Sequence, residues 1–150
     1  SIGTAGTLQK NLKVGDLIVC EKAIRDEGTS YHYLKPSKYA YASKELTDRI
    51  KRALDTRGQK YSVGTSWTID APYRETVAEV RKYQEEGVAA VEMEASALFA
   101  VAQYRGTQMA AVFTVSDSVA ELQWSPEFHF KKTRGGLEIL CQVAIKALLE

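Results

Sequence analysis

The sequence predicts an α/β layered domain, with a largely parallel or mixed sheet flanked by helices. Three observations predict it. Strand-like apolar runs alternate with helix-spaced apolar residues along the whole chain. The runs at 17–20, 88–91 and 110–115 are continuous rather than alternating, as in strands buried on both faces of a sheet. No repeat, linker or low-complexity tract interrupts them, so residues 1–150 read as one domain.

Leu17-Ile18-Val19-Cys20 follows the turn-like Val14-Gly15-Asp16 and reads as a buried strand. Leu46, Ile50, Ala53 and Leu54 recur at helical spacing, and Gly58 is available as the stop. The segment 61–68 has the β-branched and aromatic bias of a second strand, broken by Asp70-Ala71-Pro72. Thr76 and Glu79 fit a capping box, and Val77, Val80 and Tyr83 supply a short apolar stripe before Gly87. Val88-Ala89-Ala90-Val91 is a short central strand, 95–105 a mostly apolar helix closed by Gly106, and 110–115 a further buried strand. Leu137, Leu140, Ala144 and Leu148 mark the expected inner face of a last helix.

Composition narrows the function. The 20 Lys+Arg nearly balance 19 Asp+Glu for a net charge of +1, and no basic face is evident, which argues against nucleic acid as the main partner. A chain of this length buries roughly 68–70% of its unfolded surface, so folding calls for no disulfide or metal staple. Cys20 and Cys141 sit among aliphatic residues and read as buried free thiols, while His32 and His129 have no ligand-like neighbours, so a structural metal is not expected. Apolar runs such as 95–102 are too short for a membrane span, and the opening residues lack a signal-peptide pattern; a reducing cytoplasmic setting is the default expectation. Trp67, Trp124 and His129 carry no assigned role beyond core or loop packing.

Three segments carry chemistry, and each stands where a strand would end, the usual place for ligands in such sheets. In Val91-Glu92-Met93-Glu94-Ala95-Ser96 two carboxylates flank a methionine, and extended geometry would turn both to one side. Carboxylates only accept hydrogen bonds, so this pair suits a sugar whose vicinal hydroxyls donate. Glutamates favoured by a helix N-terminus would explain Glu94 but explain Glu92 poorly, because a carboxylate ending a buried strand is costly to desolvate. In Phe113-Thr114-Val115-Ser116-Asp117-Ser118 a lone acid is surrounded by hydroxyls; removed from water, such an acid holds and donates a proton more readily, although capping of the next turn would read the same. Ile2-Gly3-Thr4-Ala5-Gly6-Thr7 allows close backbone approach to an anion, as an ordinary turn also would.

Together, Gly3-Thr4-Ala5-Gly6, Val14-Gly15-Asp16, Val91-Glu92-Met93-Glu94-Ala95 and Thr114-Val115-Ser116-Asp117 resemble, in order and spacing, the nucleoside phosphorylase family that includes purine nucleoside and uridine phosphorylases. The resemblance implies a nucleoside phosphorylase-like fold and a cytoplasmic pentosyltransferase of nucleoside salvage. Its reaction would be the phosphorolysis of a ribonucleoside to free base and ribose 1-phosphate, with inorganic phosphate as co-substrate and no other cofactor. It implies that Glu94 binds the ribose hydroxyls, Met93 packs on the sugar, Glu92 supports that site, Thr4 and Gly3 meet phosphate, and Asp117 protonates a purine. The base would lie against 68–75, where Thr68, Tyr73 and Arg74 are its candidate contacts; Pro72 occupies the first place of a family aromatic pair and Tyr73 keeps the second. Arg74 and Glu75 could reach a base edge or simply open a helix.

Two branches of the family are visible. Ala23-Ile24-Arg25-Asp26-Glu27-Gly28-Thr29-Ser30 with His32 resembles the uridine branch, although the charges of Arg25-Asp26-Glu27 equally read as a solvated loop; Ser116-Asp117 is similar to the purine branch, and its chemical job on a purine ring nitrogen favours purines. The family also places a phosphate-binding arginine two residues before the first glycine, where this chain has Ser1; a hydroxyl does not replace a bidentate cation, which keeps a nucleoside hydrolase open. Relatives carry a substantial N-terminal part that this sequence lacks. An apolar edge left at 17–20 would favour association, so a homo-oligomer, or pairing with a missing N-terminal segment, is expected. A non-catalytic nucleoside-binding or storage protein is the remaining alternative.

Overall fold

The apolar runs pair into one mixed sheet. Among the residues described by this computed structural model, 1–126 and 131–149, the strands are β1 (Ile2–Thr7), β2 (Leu17–Asp26), β3 (Tyr39–Tyr41), β4 (Ser62–Ile69), β5 (Ala90–Glu92), β6 (Ala111–Ser118) and β7 (Ser125–Pro126). Their order is β3-β2-β4-β5-β1-β6-β7, with β2–β4, β4–β5 and β1–β6 parallel and the remaining pairs antiparallel. The first half of β2 also pairs with β6, from Leu17↔Thr114 to Cys20↔Ala111, which closes β2, β4, β5, β1 and β6 into a ring. Leu17, Ile18, Val19 and Cys20 are therefore all buried within the chain. The apolar edge anticipated there does not exist, because β6 covers it, and that argument for association lapses.

Strand alternation divides the core. Ile18, Cys20 and Phe113 face one side, where α3 (Ala95–Arg105) packs Phe99 onto them. Leu17, Val19 and Val112 face the other, where α1 (Lys44–Thr56) and α4 (Lys131–Leu149) bring Ile50, Leu54, Leu140 and Val143. A third cluster joins Trp67 of β4 to Val80 and Tyr83 of α2 (Val77–Glu85), with the two rings 4.8 Å apart. The predicted punctuation is present: Gly106 ends α3 in the left-handed region at φ 65°, and Thr76 and Glu79 form the capping box of α2.

Several sequence expectations are corrected. β2 runs on to Asp26, because after a bulge between Cys20 and Lys22 its second half is held by β4 on one side and β3 on the other. The central strand begins at Ala90, two residues later than its apolar run. The inner face of α4 is Thr133, Gly136, Leu140, Val143 and Ala147; Leu148 is 69% exposed, and Leu137 and Ala144 are only partly buried. The face is set by Gly136, whose missing side chain lets the helix lie directly on Thr114 and Leu17, and the larger leucine at 137 is turned aside. Cys141, next to Leu140 on the helix, consequently points outward and is exposed, whereas Cys20 is buried. Val77 is exposed, and His129 lies outside the described residues. No helix among the described residues is long and apolar enough to cross a membrane.

The close seat of α4 is testable with a pair of alanines. A Cβ at Gly136 would overlap the Oγ1 and Cβ of Thr114, whereas one at Gly135 meets nothing within 4 Å. Gly136→Ala should lower stability by about 1–3 kcal/mol through overpacking, while Gly135→Ala should leave it unchanged or raise it by about 0.5–1 kcal/mol through helix propensity. Urea midpoints of the two variants check this; equal midpoints would contradict the packing.

Candidate active site

The carboxyl ends of β4, β5 and β6 and the middle of β1 open onto one cleft of about 580 Å³. Its lining includes Thr4 and Gly6 of β1, Met93 and Glu94 at the β5–α3 junction, Asp117 of β6 and Tyr73 from the 3-10 turn Pro72–Arg74. A larger hollow of about 760 Å³ lies by Lys10, Lys13, Lys131 and Lys132, but none of the sequence-predicted site residues lines it, and Lys10 is already paired with Glu121 at 2.9 Å.

Glu92 organises the end of the cleft where β5 meets α3. It ends β5 opposite Thr68 of β4, and Ser66 and Thr68, two residues apart, face the same way. Their hydroxyls both donate to Glu92 Oε1, while Oε2 accepts the backbone N–H groups of Glu94 at 2.8 Å and Ala95 at 2.7 Å. The carboxylate thus receives four donors and closes the N-terminus of α3, where two otherwise orphaned amides would point into the protein. Burial pushes the Glu92 carboxyl above the ordinary 4.5, and the hydrogen bonds from Thr68, Glu94, Ala95 and Ser66 oppose that rise.

This reverses the sequence reading of the pair. The strand stops at Glu92, so two-residue alternation does not continue to Glu94. Glu92, not Glu94, satisfies the helix terminus, and the desolvation objection is met by the four donors. Glu94 is exposed, with Met93 at 44% beside it, and both line the cleft.

The opposite end carries the acid. Asp117 is only 8% exposed; its Oδ1 accepts the Ser116 hydroxyl at 2.7 Å and its Oδ2 the Trp124 indole N–H at 2.9 Å. It is seated in β6 against β7, so it caps no helix. A Cβ at Gly6 would come within 2.8 Å of Asp117 Oδ2 and 3.2 Å of Val91, so the glycine of the opening motif is what admits this carboxyl. Glu75 lines the same cleft, and its carboxyl is raised above 4.5, first by burial and then by the charges of Asp117 and Glu79.

Of the predicted residues, the cleft gathers Thr4, Glu92, Met93, Glu94, Tyr73 and Asp117. Three do not reach it. Thr68 is fully buried behind Glu92, donating to its carboxylate and accepting the Ser96 N–H at 3.0 Å. Gly3 lies against Phe113, and Arg74 is exposed outside the lining. In the segment that resembles the uridine branch, the charges of Arg25 and Glu27, which also read as a solvated loop, are buried, while Gly28, Thr29 and His32 are exposed. Arg25 is 4% exposed and donates to Ser30, Ser37 and the carbonyls of Leu34 and Lys35, and Glu27 accepts from Ser96 Oγ and Ser30 N. Trp124 carried no pattern in the sequence that would mark it, since nothing local connects it to an acid seven residues earlier.

The Glu92 arrangement predicts a graded response. Glu92→Leu leaves two buried amides and two hydroxyls without their acceptor, at about 1–3 kcal/mol per unsatisfied group, whereas Glu92→Gln keeps an oxygen for the amides and should lose distinctly less. Because the folded-state pKa is raised, the fold holds the proton more tightly than the unfolded chain. The contribution of Glu92 is full below pH 4.5 and declines as pH rises through the raised value. Urea midpoints should therefore show the wild type gaining on Glu92→Gln as pH is lowered from 8 to 4.5; a constant difference over that range would contradict this.

The Phosphorylase superfamily profile matches residues 1–149. The chain is 36% identical over 121 residues to a DeoD-type purine nucleoside phosphorylase of Bacillus cereus, covering 79% of this chain and 51% of that protein. The crystal structure of uridine phosphorylase from Vibrio fischeri superposes with a TM-score of 0.83 at 28% identity, over 99% of this chain and 62% of the other. AMP nucleosidase from Bacteroides thetaiotaomicron shares the fold, with a TM-score of 0.79 at 23% identity over 99% of this chain and 57% of its own. The chain spans about half the length of the curated relatives it matches. With the family profile running from end to end, this chain belongs to the phosphorylase superfamily.

Proposed function

We propose that the cleft binds a ribonucleoside and breaks its N-glycosidic bond, with phosphate as acceptor and purines preferred to uridine. The observation that carries this reading is the meeting of Thr4, the Met93-Glu94 pair and Asp117 on one cleft from three separate places in the sequence. Glu94 accepts the ribose hydroxyls, Met93 covers the apolar face of the sugar, and Asp117 gives a proton to the departing purine. As the bond from C1′ to the base nitrogen breaks, its electron pair leaves with the base and the ribose ring gains oxocarbenium character, which the carboxylates stabilise. A phosphate oxygen held at Thr4 then bonds to C1′, giving ribose 1-phosphate. The purine preference rests on Asp117, and also on the uridine-like segment 25–32, none of which lines the cleft.

A hydrolase is the second reading, favoured by one observation besides Ser1. Among the described residues the cleft lining holds Glu75, Glu92, Glu94 and Asp117 but no Lys or Arg, so a phosphate dianion would depend on cations from outside this lining. Water needs none.

Product analysis separates the readings. Incubated with inosine, adenosine and uridine, the chain should form ribose 1-phosphate only when phosphate is present, and fastest from a purine. Asp117→Asn should lower purine cleavage by about 10²–10⁴-fold, the usual contribution of a proton donor, and uridine cleavage far less. Free ribose with and without phosphate would establish the hydrolase, and equal losses on both bases would remove Asp117 from its role.

A further inference from the structure

The segment 23–32 lines no part of the cleft, so the nucleoside reading leaves its buried charges without a task. The side chain of Arg25 reaches only residues 30–37, whereas that of Glu27 reaches α3. Glu27 is 7% exposed; its Oε1 accepts the Ser96 hydroxyl at 2.8 Å and its Oε2 the Ser30 N–H at 2.9 Å. Ser30 is fixed in turn, because its Oγ accepts from Arg25 Nε at 2.8 Å, and the Arg25 guanidinium is anchored on Ser37 and on the carbonyls of Leu34 and Lys35.

Ser96 stands in the first turn of α3, two residues past Glu94. The amides of that turn are already engaged: Glu94 and Ala95 donate to Glu92 Oε2, and Ser96 donates to Thr68 Oγ1 at 3.0 Å. Helical amides point along the helix axis, so these bonds fix where α3 begins but do little against rotation about that axis. A side chain leaves the axis sideways. The bond from the Ser96 hydroxyl to Glu27 therefore opposes the rotation that the amide bonds permit. Met93 and Glu94, which line the cleft immediately before the helix, would be carried along by any such rotation.

We propose that Glu27 is a positioning residue for the turn that meets the sugar: by holding the Ser96 hydroxyl it fixes α3 about its own axis and so sets where Met93 and Glu94 stand in the cleft. The inference rests on the nucleoside reading for its ligand, and it gives a task to a residue that touches no substrate.

Three variants test the link. Ser96→Ala cuts it at α3 and leaves the Ser30 bond to Glu27 intact; Glu27→Leu fills the space and accepts nothing. Glu27→Gln keeps an oxygen for the Ser30 N–H and offers an N–H to the Ser96 hydroxyl, which can turn to accept it. By equilibrium dialysis, ribose 1-phosphate should bind Ser96→Ala and Glu27→Leu about tenfold more weakly than wild type, and Glu27→Gln within about threefold, because misplacement of a contacting group is what is lost. The double variant Ser96→Ala, Glu27→Leu should bind no more weakly than Glu27→Leu alone, since both substitutions break one interaction. Hypoxanthine, which does not depend on Glu94, should bind all of them within about threefold of wild type, whereas general loosening of the fold would weaken both ligands alike. Circular dichroism controls for folding.

Hydrogen exchange reads the same brace without a ligand. The amides of Glu94 and Ala95 should exchange about tenfold faster in Ser96→Ala, with those of α4 unchanged. Unchanged exchange at 94 and 95, wild-type affinity for ribose 1-phosphate in a folded Ser96→Ala, or equal losses for both ligands overturns the proposal. Faster exchange at 94 and 95 in a chain whose wild type binds no ribose 1-phosphate would uphold the brace and refute the nucleoside reading of the cleft.

Discussion

The buried carboxylate of Glu92 is the constraint on which the cleft depends. A carboxyl behind β5 is tolerable only when its oxygens are fully engaged, and here they take two hydroxyls from β4 and two amides from the start of α3. Those four bonds lock together a strand, its neighbour and a helix terminus at the point where the chain turns outward through Met93 and Glu94. The polar seam continues inward: Ser66 lies 3.3 Å from the Sγ of Cys20, whose thiol burial pushes up to about 12, against the opposing hydrogen bonds from Ser66. Such a thiol stays protonated and inert, so the seam is architecture rather than a second reactive centre.

A second set of bonds holds the two walls at a fixed separation. Asp26 accepts the Trp67 indole N–H at 2.8 Å, Glu27 accepts the Ser96 hydroxyl on α3, and the N–H of Gly28 donates to Asp70 at the end of β4. The stretch from 25 to 30 is thus a strap across the start of α3 and the end of β4. Burial would raise the Glu27 carboxyl, but the hydrogen bonds from Ser30, Ser96 and Thr29 outweigh it and hold it below 4.5. Glu27 and Glu92 are therefore buried carboxyls displaced in opposite directions, the difference lying in how much desolvation each bears against similar donor sets.

Much of the fold was legible because local chemistry and tertiary structure agree. The α3 span with its Gly106 end, the Thr76–Glu79 box and the continuous strands needed no long-range information. What escaped was decided at a distance. The face of α4 depends on Thr114 meeting Gly136, and the burial of Arg25 depends on carbonyls at 34 and 35 that no periodicity announces. The site divides in the same way. Glu94, Met93, Thr4, Tyr73 and Asp117 stand at element ends and reach the cleft, whereas Thr68, inside its strand, points to Glu92, and Trp124 enters through a turn whose shape rests on one left-handed leucine.

The account stands on one spatial claim, that Glu94 and Asp117 address opposite halves of a single nucleoside. A crystal structure of the chain with hypoxanthine and ribose 1-phosphate tests it most directly. The account predicts ribose hydroxyls donating to Glu94 and a purine ring nitrogen within about 2.6–3.2 Å of Asp117, hydrogen-bond reach for proton transfer. Ligand seated in the lysine-lined hollow, or in the cleft with Glu94 and Asp117 both untouched, would contradict it.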